Sequence, residues 1–110
     1  MNPDEHNDTD AVRQMLWQLG IPEHTMGYRQ LCIAISLYAK DQEQSLCCQL
    51  YPAVGKHFHI PDWRAVERSI RRAVNMAWEQ REEEPWKRYF PGCRKPPSNK
   101  RFIAALAERL

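Results

Sequence analysis

The sequence lacks any apolar run that approaches the roughly 18 residues of a membrane-spanning helix. It has only 4 glycines and no glycine-rich phosphate loop, and no cysteine stands beside an obvious histidine base. The acidic run at residues 82–84 next to Pro85 is typical of a solvated surface. These absences leave no membrane span and no recognisable catalytic site. We therefore expect a protein that is not an enzyme and that uses no cofactor.

The sequence also lacks the cysteine pattern of a disulfide framework or a zinc site. Its 4 cysteines are Cys32, Cys47, Cys48 and Cys93. Two of them are adjacent, which is poor disulfide geometry, and no signal peptide precedes them. His57 and His59 have no cysteine partners at zinc-site spacing. We expect reduced thiols that lie mostly in the core, no structural metal, and a cytoplasmic protein.

Charge is unevenly distributed, although the net charge is only +2. The first ten residues hold four carboxylates and neither lysine nor arginine, whereas residues 85–107 hold six basic residues and no acidic one. A chain of 110 residues is a single-domain length. We expect residues 1–8 to be a flexible acidic leader and residues 9–110 to form one helical domain.

Apolar residues recur at helical spacing along most of the chain, and no segment of strand length alternates with a period of two. The first helix, capped by Asp8 or Thr9, should end at Gly20. Ser98 should cap the last helix. The pattern predicts helices at about residues 9–19, 28–40, 42–50, 52–58, 62–78 and 98–110, with a single helical turn at 86–90. The fold class is therefore all-α, a single domain of about six helices.

The middle of the sequence has the outline of a helix-turn-helix. The short helix at residues 52–58 is followed by Pro61, which disfavours helix at the residue before it, and by Asp62, a good N-cap. The helix from Asp62 has two faces. Its apolar face carries Val66, Ile70, Ala73, Val74, Ala77 and Trp78. Its polar face carries Arg64, Glu67, Arg68, Arg71, Arg72 and Asn75.

This polar face holds side chains of the kinds that read base edges in the major groove, and the alternative is an ordinary solvated helix face. Arginine can donate two hydrogen bonds to guanine, and glutamate can accept one from the cytosine amino group. The predicted base-reading residues are Glu67, Arg68, Arg71 and Arg72. An alternative for Glu67 and Arg71 is an ordinary i,i+4 surface ion pair that contributes about 0.3 to 0.5 kcal/mol.

A second basic cluster could contact the phosphate backbone, which fixes the register of a protein on DNA without reading sequence. The predicted backbone contacts are Arg64, Lys95, Asn99, Lys100 and Arg101. Each of them has the alternative of being an ordinary solubilising surface residue.

Several separated motifs occur in order between about residues 12 and 110. They are Gly20-Ile21-Pro22-x-His24-x-x-Gly27-Tyr28-x-x-Leu31, Leu50-Tyr51-Pro52-x-Val54-x-Lys56-x-Phe58, Val66-Glu67-Arg68-x-Ile70-Arg71-x-Ala73 with Ala77-Trp78, and Pro97-Ser98-Asn99 before Phe102-Ile103-Ala104. Together they resemble the C-terminal DNA-binding effector domain of the sporulation response regulator family, stage-zero sporulation protein A, of endospore-forming Firmicutes.

The resemblance implies a six-helix domain whose recognition helix enters the major groove of a TGTCGAA-type box, usually bound as tandem copies. The implied partners are double-stranded DNA, a second copy of the chain on tandem sites, and RNA polymerase. The base-reading segment of the family carries over to Glu67, Arg68 and Arg71, and the next position, commonly histidine, is Arg72 here. The asparagine that contacts the DNA backbone corresponds to Asn99.

Two departures from the family pattern bear on function. The turn at residues 59–64 is one residue longer than the usual Thr-Thr-x-Ser-Arg version and holds Pro61 and Trp63. The phosphorylatable receiver domain is absent from the sequence, so the chain is either a free-standing effector domain or a piece of a longer protein. We expect sequence-specific DNA binding that regulates transcription. The alternative is a receiver-less protein-interaction module that modulates a full-length regulator.

Overall fold

A computed structural model describes residues 3–110, with side chains described from Asp8 onward. Within residues 3–110 the chain forms six α-helices, one π-helical turn and no strand. The helices are α1 (Pro3–Gln18), α2 (Met26–Lys40), α3 (Tyr51–His57), α4 (Trp63–Glu79), α5 (Glu83–Tyr89) and α6 (Asn99–Ala107), and the π-helical turn is Leu46–Leu50. The prediction of an all-α domain of about six helices is confirmed.

Helix α2 forms the centre of the fold and packs against α1, α4 and α6. Its apolar face is fully buried at Leu31, Ala34 and Ile35. At its first turn, Gly27 lies so close to α4 that a Cβ there would sit 2.6 Å from the carbonyl oxygen of Ser69. Only glycine allows this approach, which sets the position of α4 against the core.

Helix α1 begins earlier than the sequence pattern predicted. It starts at Pro3, and proline is favoured in the first turn of a helix because its ring presets the helical φ. The predicted caps Asp8 and Thr9 therefore lie inside the helix, which overlaps the predicted acidic leader of residues 1–8. The first two residues of that leader lie outside the described part of the chain. The helix ends at Gln18, shortly before Gly20, the predicted stop, which has a φ of +78°.

The helix predicted at residues 42–50 is not continuous. Residues 41–45 form a turn in which the Gln44 Nε2 donates to the carbonyl oxygens of Leu37 (3.0 Å) and Asp41 (2.8 Å). The chain then enters the π-helical turn, whose bond from the Leu50 N–H to the Ser45 carbonyl spans 2.9 Å. The side chain of Gln44 thus takes the carbonyls that a continuing helix would use.

An aromatic cluster joins the helices on the side of the core near α5. Trp86 packs edge-on against Trp78 at 5.4 Å, and its ring also contacts Phe90 and Phe102. The buried Trp86 indole N–H donates to the carbonyl oxygen of Leu19 at 3.0 Å, so its polar atom is satisfied. The hydrogen bond joins α5 to the end of α1, and the packing of Trp86 on Trp78 holds the last turn of α4 against α5.

Candidate nucleic-acid interface

The turn between α3 and α4 is tight, and local chemistry explains its shape. His59 adopts a positive φ of 55°, and the Ile60 N–H bonds to the Gly55 carbonyl at 2.9 Å. A Cβ on Gly55 would lie 2.6 Å from the Ile60 carbonyl oxygen, so this position requires glycine. The predicted cap is confirmed, because the Asp62 side chain accepts from the Arg64 N–H at 3.0 Å.

Trp63 anchors the start of α4. Its ring stacks on Tyr51 of α3 with centroids 6.1 Å apart. The Arg64 guanidinium lies over the same tryptophan ring at 5.1 Å and 3.6 Å from the Asp62 carboxylate. This stacking adds a packing contact between α3 and α4 at the turn.

Helix α4 has the two faces that its sequence predicts. The apolar face is buried against the core and consists of Val66, Ile70, Ala73, Val74, Ala77 and Trp78. The predicted arginines, Arg64, Arg68, Arg71 and Arg72, are all exposed. Burial of one face holds the helix while the opposite face meets solvent, which is the placement that a groove-reading helix needs.

One edge of this exposed face is already engaged within the protein. The Arg71 Nη2 donates to the Glu67 Oε1 at 2.6 Å, and the Glu67 side chain is only 29% exposed. The i,i+4 ion pair considered from the sequence is thus present. We call Glu67 and Arg71 the paired edge of α4.

The other edge of the face consists of Arg68 and Arg72, which we call the open edge. Within the described residues, neither guanidinium lies within ion-pair distance of a carboxylate. Both arginines border a groove of about 410 Å³ between α4 and the first turn of α2, where Met26 and Met76 are also exposed. The open edge is therefore positively charged and accessible.

Asn99 was predicted to contact the DNA backbone, and the structure places it inside the protein instead. Its side chain is buried, and its Nδ2 donates to the Glu67 carbonyl oxygen (3.0 Å) and to the Tyr51 hydroxyl (3.2 Å). Both amide hydrogens are used, so none is left for a phosphate. Burial raises the pKa of Tyr51 above a usual value that already lies well above neutral, so its hydroxyl is protonated. Asn99 joins α6 to α3 and α4.

The remaining predicted backbone contacts, Lys95, Lys100 and Arg101, are exposed. Lys100 lines a cavity of about 790 Å³ that also borders the paired edge of α4. Lys95 and Arg101 do not line this cavity. They are linked through Cys93, whose Sγ lies 3.0 Å from the Lys95 carbonyl oxygen and 3.8 Å from the Arg101 Nη1.

The same cavity includes residues that sequence reasoning did not select, among them Asn75 and Cys47. Asn75, which the sequence placed on the polar face of α4 but which was not among the predicted site residues, is exposed and lies one turn beyond Arg71. Cys47 belongs to the π-helical turn, and only the folded chain places it beside α4. Among the described residues, no group of three or more His, Cys, Asp or Glu side chains could hold a metal.

A short helix, a tight turn and a second helix with exposed arginines define a helix-turn-helix domain of the DNA-binding class. The family model described as "Sporulation initiation factor Spo0A C terminal" matches residues 12–110. The chain therefore belongs to this family of DNA-binding regulatory domains, which is not a family of enzymes, and the resemblance seen in the sequence is confirmed. None of the described helices is long and apolar enough to span a bilayer.

Proposed function

We propose that this domain recognises TGTCGAA-type boxes in the duplex DNA of a spore-forming Firmicute and regulates transcription in the cytoplasm. The observation that carries the proposal is the open edge of α4, where Arg68 and Arg72 are exposed on a helix held by its buried face. Such a helix fits the major groove, in which arginine reads guanine with two hydrogen bonds.

The base-reading residues in this proposal are Glu67, Arg68, Arg71 and Arg72. The paired edge takes part by exchanging partners. Glu67 accepts from a cytosine amino group, and the released Arg71 donates to a guanine. The Arg71 side chain is 58% exposed. Exposed ion pairs contribute little to stability, so breaking this pair costs little free energy.

The phosphate contacts in this proposal are Arg64, Lys95, Lys100 and Arg101. These exposed cations set affinity and salt dependence for every sequence alike. We assign a different role to Asn99, which positions α4 through the Glu67 carbonyl. Two copies of the domain occupy tandem boxes, and RNA polymerase is the partner through which the bound protein acts.

Fluorescence anisotropy with a labelled TGTCGAA duplex and a scrambled duplex tests the proposal. Arg68→Ala should weaken binding to the box by about 1 to 3 kcal/mol and weaken binding to the scrambled duplex by clearly less. Lys100→Ala is the matched control, because it should weaken both duplexes equally. Equal affinity of the unmodified protein for both duplexes would remove the claim of specific reading.

The alternative, a protein-interaction module, predicts a different pair of results. In that case the domain should retain a full-length sporulation regulator in a pull-down and should bind neither duplex. Retention of the regulator that survives Arg68→Ala and Arg72→Ala, together with no gel shift, would replace the DNA-binding proposal.

A further inference from the structure

Two exposed thiols lie side by side in the π-helical turn. The Sγ atoms of Cys47 and Cys48 are 3.6 Å apart, and both residues are exposed. The expectation that the cysteines lie mostly in the core is wrong for this pair. Since packing does not use these side chains, their chemistry is available to solvent. π-Helical turns occur often at functional sites because they reposition side chains.

The turn gives Cys47 an environment that favours the thiolate. The Ser45 hydroxyl accepts from the Cys48 N–H at 3.3 Å, so its own proton is free for the Cys47 Sγ at 3.7 Å. Hydrogen bonds from Ser45 and then from Cys48 lower the pKa of Cys47. The thiolate is the nucleophilic form of cysteine.

The two remaining cysteines have different surroundings. Burial raises the pKa of Cys32, which lies in the groove between α1 and α2. The Cys93 Sγ lies 3.0 Å from the Lys95 carbonyl oxygen and 3.8 Å from the Arg101 Nη1, so this sulfur has polar partners within the protein. Both residues are partly buried. Cys47 therefore differs from both in being exposed, and it differs from the exposed Cys48 in lining the cavity beside α4.

The location of Cys47 connects this chemistry to α4. Cys47 lines the cavity of about 790 Å³ together with Glu67, Arg71 and Lys100. A group attached to its sulfur would enter this cavity, beside the paired edge and a predicted phosphate contact. A negatively charged group there would offset the positive charge that attracts DNA.

We propose that Cys47 is a reversible modification site through which low-molecular-weight disulfides weaken DNA binding, an inference that rests on the proposed function. The Cys47 thiolate attacks one sulfur of the disulfide, so the S–S bond of the reagent breaks as a new S–S bond forms. The other half leaves as a thiolate and takes a proton from water. The Cys47 sulfur is oxidised, and the leaving sulfur is reduced.

Cys48 does not expel the attached group to close a disulfide with its neighbour. Consecutive Cα atoms are about 3.8 Å apart, below the span of about 4.4 to 6.8 Å that disulfides usually bridge. The product is therefore a mixed disulfide on Cys47 beside a free Cys48 thiol. An added thiol reductant reverses it.

The test treats the full chain with glutathione disulfide and follows intact mass, peptide mass and duplex binding. We expect one glutathionyl group, on Cys47, and about tenfold weaker binding to the TGTCGAA duplex, restored by dithiothreitol. Glutathionyl carries a net negative charge. Cystamine attaches a cationic group at the same sulfur and should weaken binding less, which separates charge from bulk.

Cys47→Ser should abolish both the first adduct and the loss of affinity, whereas the matched control Cys93→Ser should retain both. First modification at Cys32, Cys48 or Cys93, equal loss of affinity in Cys47→Ser, or a Cys47–Cys48 disulfide would overturn the inference. An adduct on Cys47 that leaves duplex affinity unchanged would also overturn it. Failure of the untreated protein to prefer the box would instead count against the proposed function, while the mass readout still tests the thiol.

Discussion

The two edges of α4 carry the same kind of residue and differ in what surrounds it. Arg71 is bound to Glu67 at 2.6 Å, while Arg68 and Arg72, on the open edge, lie beyond ion-pair distance of any carboxylate in the described residues. The open edge offers its full charge before DNA arrives. On the paired edge, Arg71 must break its ion pair with Glu67 before it can bind DNA. The number of arginines on a helix therefore overstates the charge that the helix can offer.

The supports beneath the two edges also differ. The open edge borders the groove where Gly27 allows α2 to approach Ser69 closely. The paired edge is held from within by Asn99, which bonds to the Glu67 carbonyl. Because separate residues support each edge, substitutions can disturb one edge and spare the other.

The largest effect should come from Gly27→Ala, which disturbs the support of the open edge. The new Cβ would lie 2.6 Å from the Ser69 carbonyl oxygen and 2.7 Å from the Ala73 Cβ, so α4 must shift. We expect a loss of about 3 kcal/mol in the free energy of unfolding, measured by urea denaturation. Met26→Ala at the exposed neighbouring position should change stability by less than about 0.5 kcal/mol. An unchanged urea midpoint for Gly27→Ala would contradict this account.

Asn99→Ala tests the support of the paired edge. It leaves the Glu67 carbonyl and the Tyr51 hydroxyl without their partner, and we expect a loss of about 2 kcal/mol in stability. Lys100→Ala, at the next and exposed position, should leave thermal unfolding unchanged and weaken all duplexes. If Asn99→Ala instead keeps full stability and weakens every duplex alike, Asn99 contacts phosphate as the sequence predicted.

His59→Gly changes the turn before α4. Both edges depend on this turn, so the substitution should not disturb one edge more than the other. His59 has a positive φ, which glycine adopts without strain, so we expect a gain of about 0.5 to 1 kcal/mol. His57→Gly in the last turn of α3 should instead lower stability, because glycine destabilises a helix by about 1 kcal/mol or less. Differential scanning calorimetry measures both. Loss of stability in both variants would show that the His59 side chain matters more than its backbone.

The smallest effect should come from Glu67→Gln, which removes the difference between the two edges. Loss of the ion pair should cost at most about 0.5 kcal/mol of stability. Binding to the scrambled duplex should strengthen, because Arg71 is released. The slope of log affinity against log salt concentration should become steeper by about one. Glu79→Gln makes the same charge change at the exposed end of α4 and is the control. Identical salt slopes for both variants would mean that Arg71 is not held back by Glu67.

Features that depend on neighbouring residues in the chain could be predicted from sequence. Asp62 and Ser98 cap the helices expected of them, because a cap needs only a backbone N–H two or three residues away. The apolar face of α4 could be predicted from the spacing of its apolar residues, because that spacing is also a local feature of the chain. The start of α1 was missed, although Pro3 is itself a local signal for a helix start.

Features that depend on distant residues could not be predicted in this way. Asn99 was assigned to the DNA backbone from its basic surroundings and the family resemblance, but its partner Tyr51 lies 48 residues away, and only the folded chain brings them together. The π-helical turn likewise follows a turn that Gln44 stabilises by reaching back to Leu37. The predicted base-reading residues are placed on the exposed side of α4, and their contacts with DNA stay a prediction.

The tryptophans give this small domain internal optical reporters. Trp17 is 70% exposed and Trp86 only 3%, so the first indole senses water and the second senses the interior. The Trp78 and Trp86 rings are nearly perpendicular, at 83°, and Trp78 belongs to the last turn of α4. Disturbance of that turn should therefore change the near-ultraviolet circular dichroism of the pair without any attached dye.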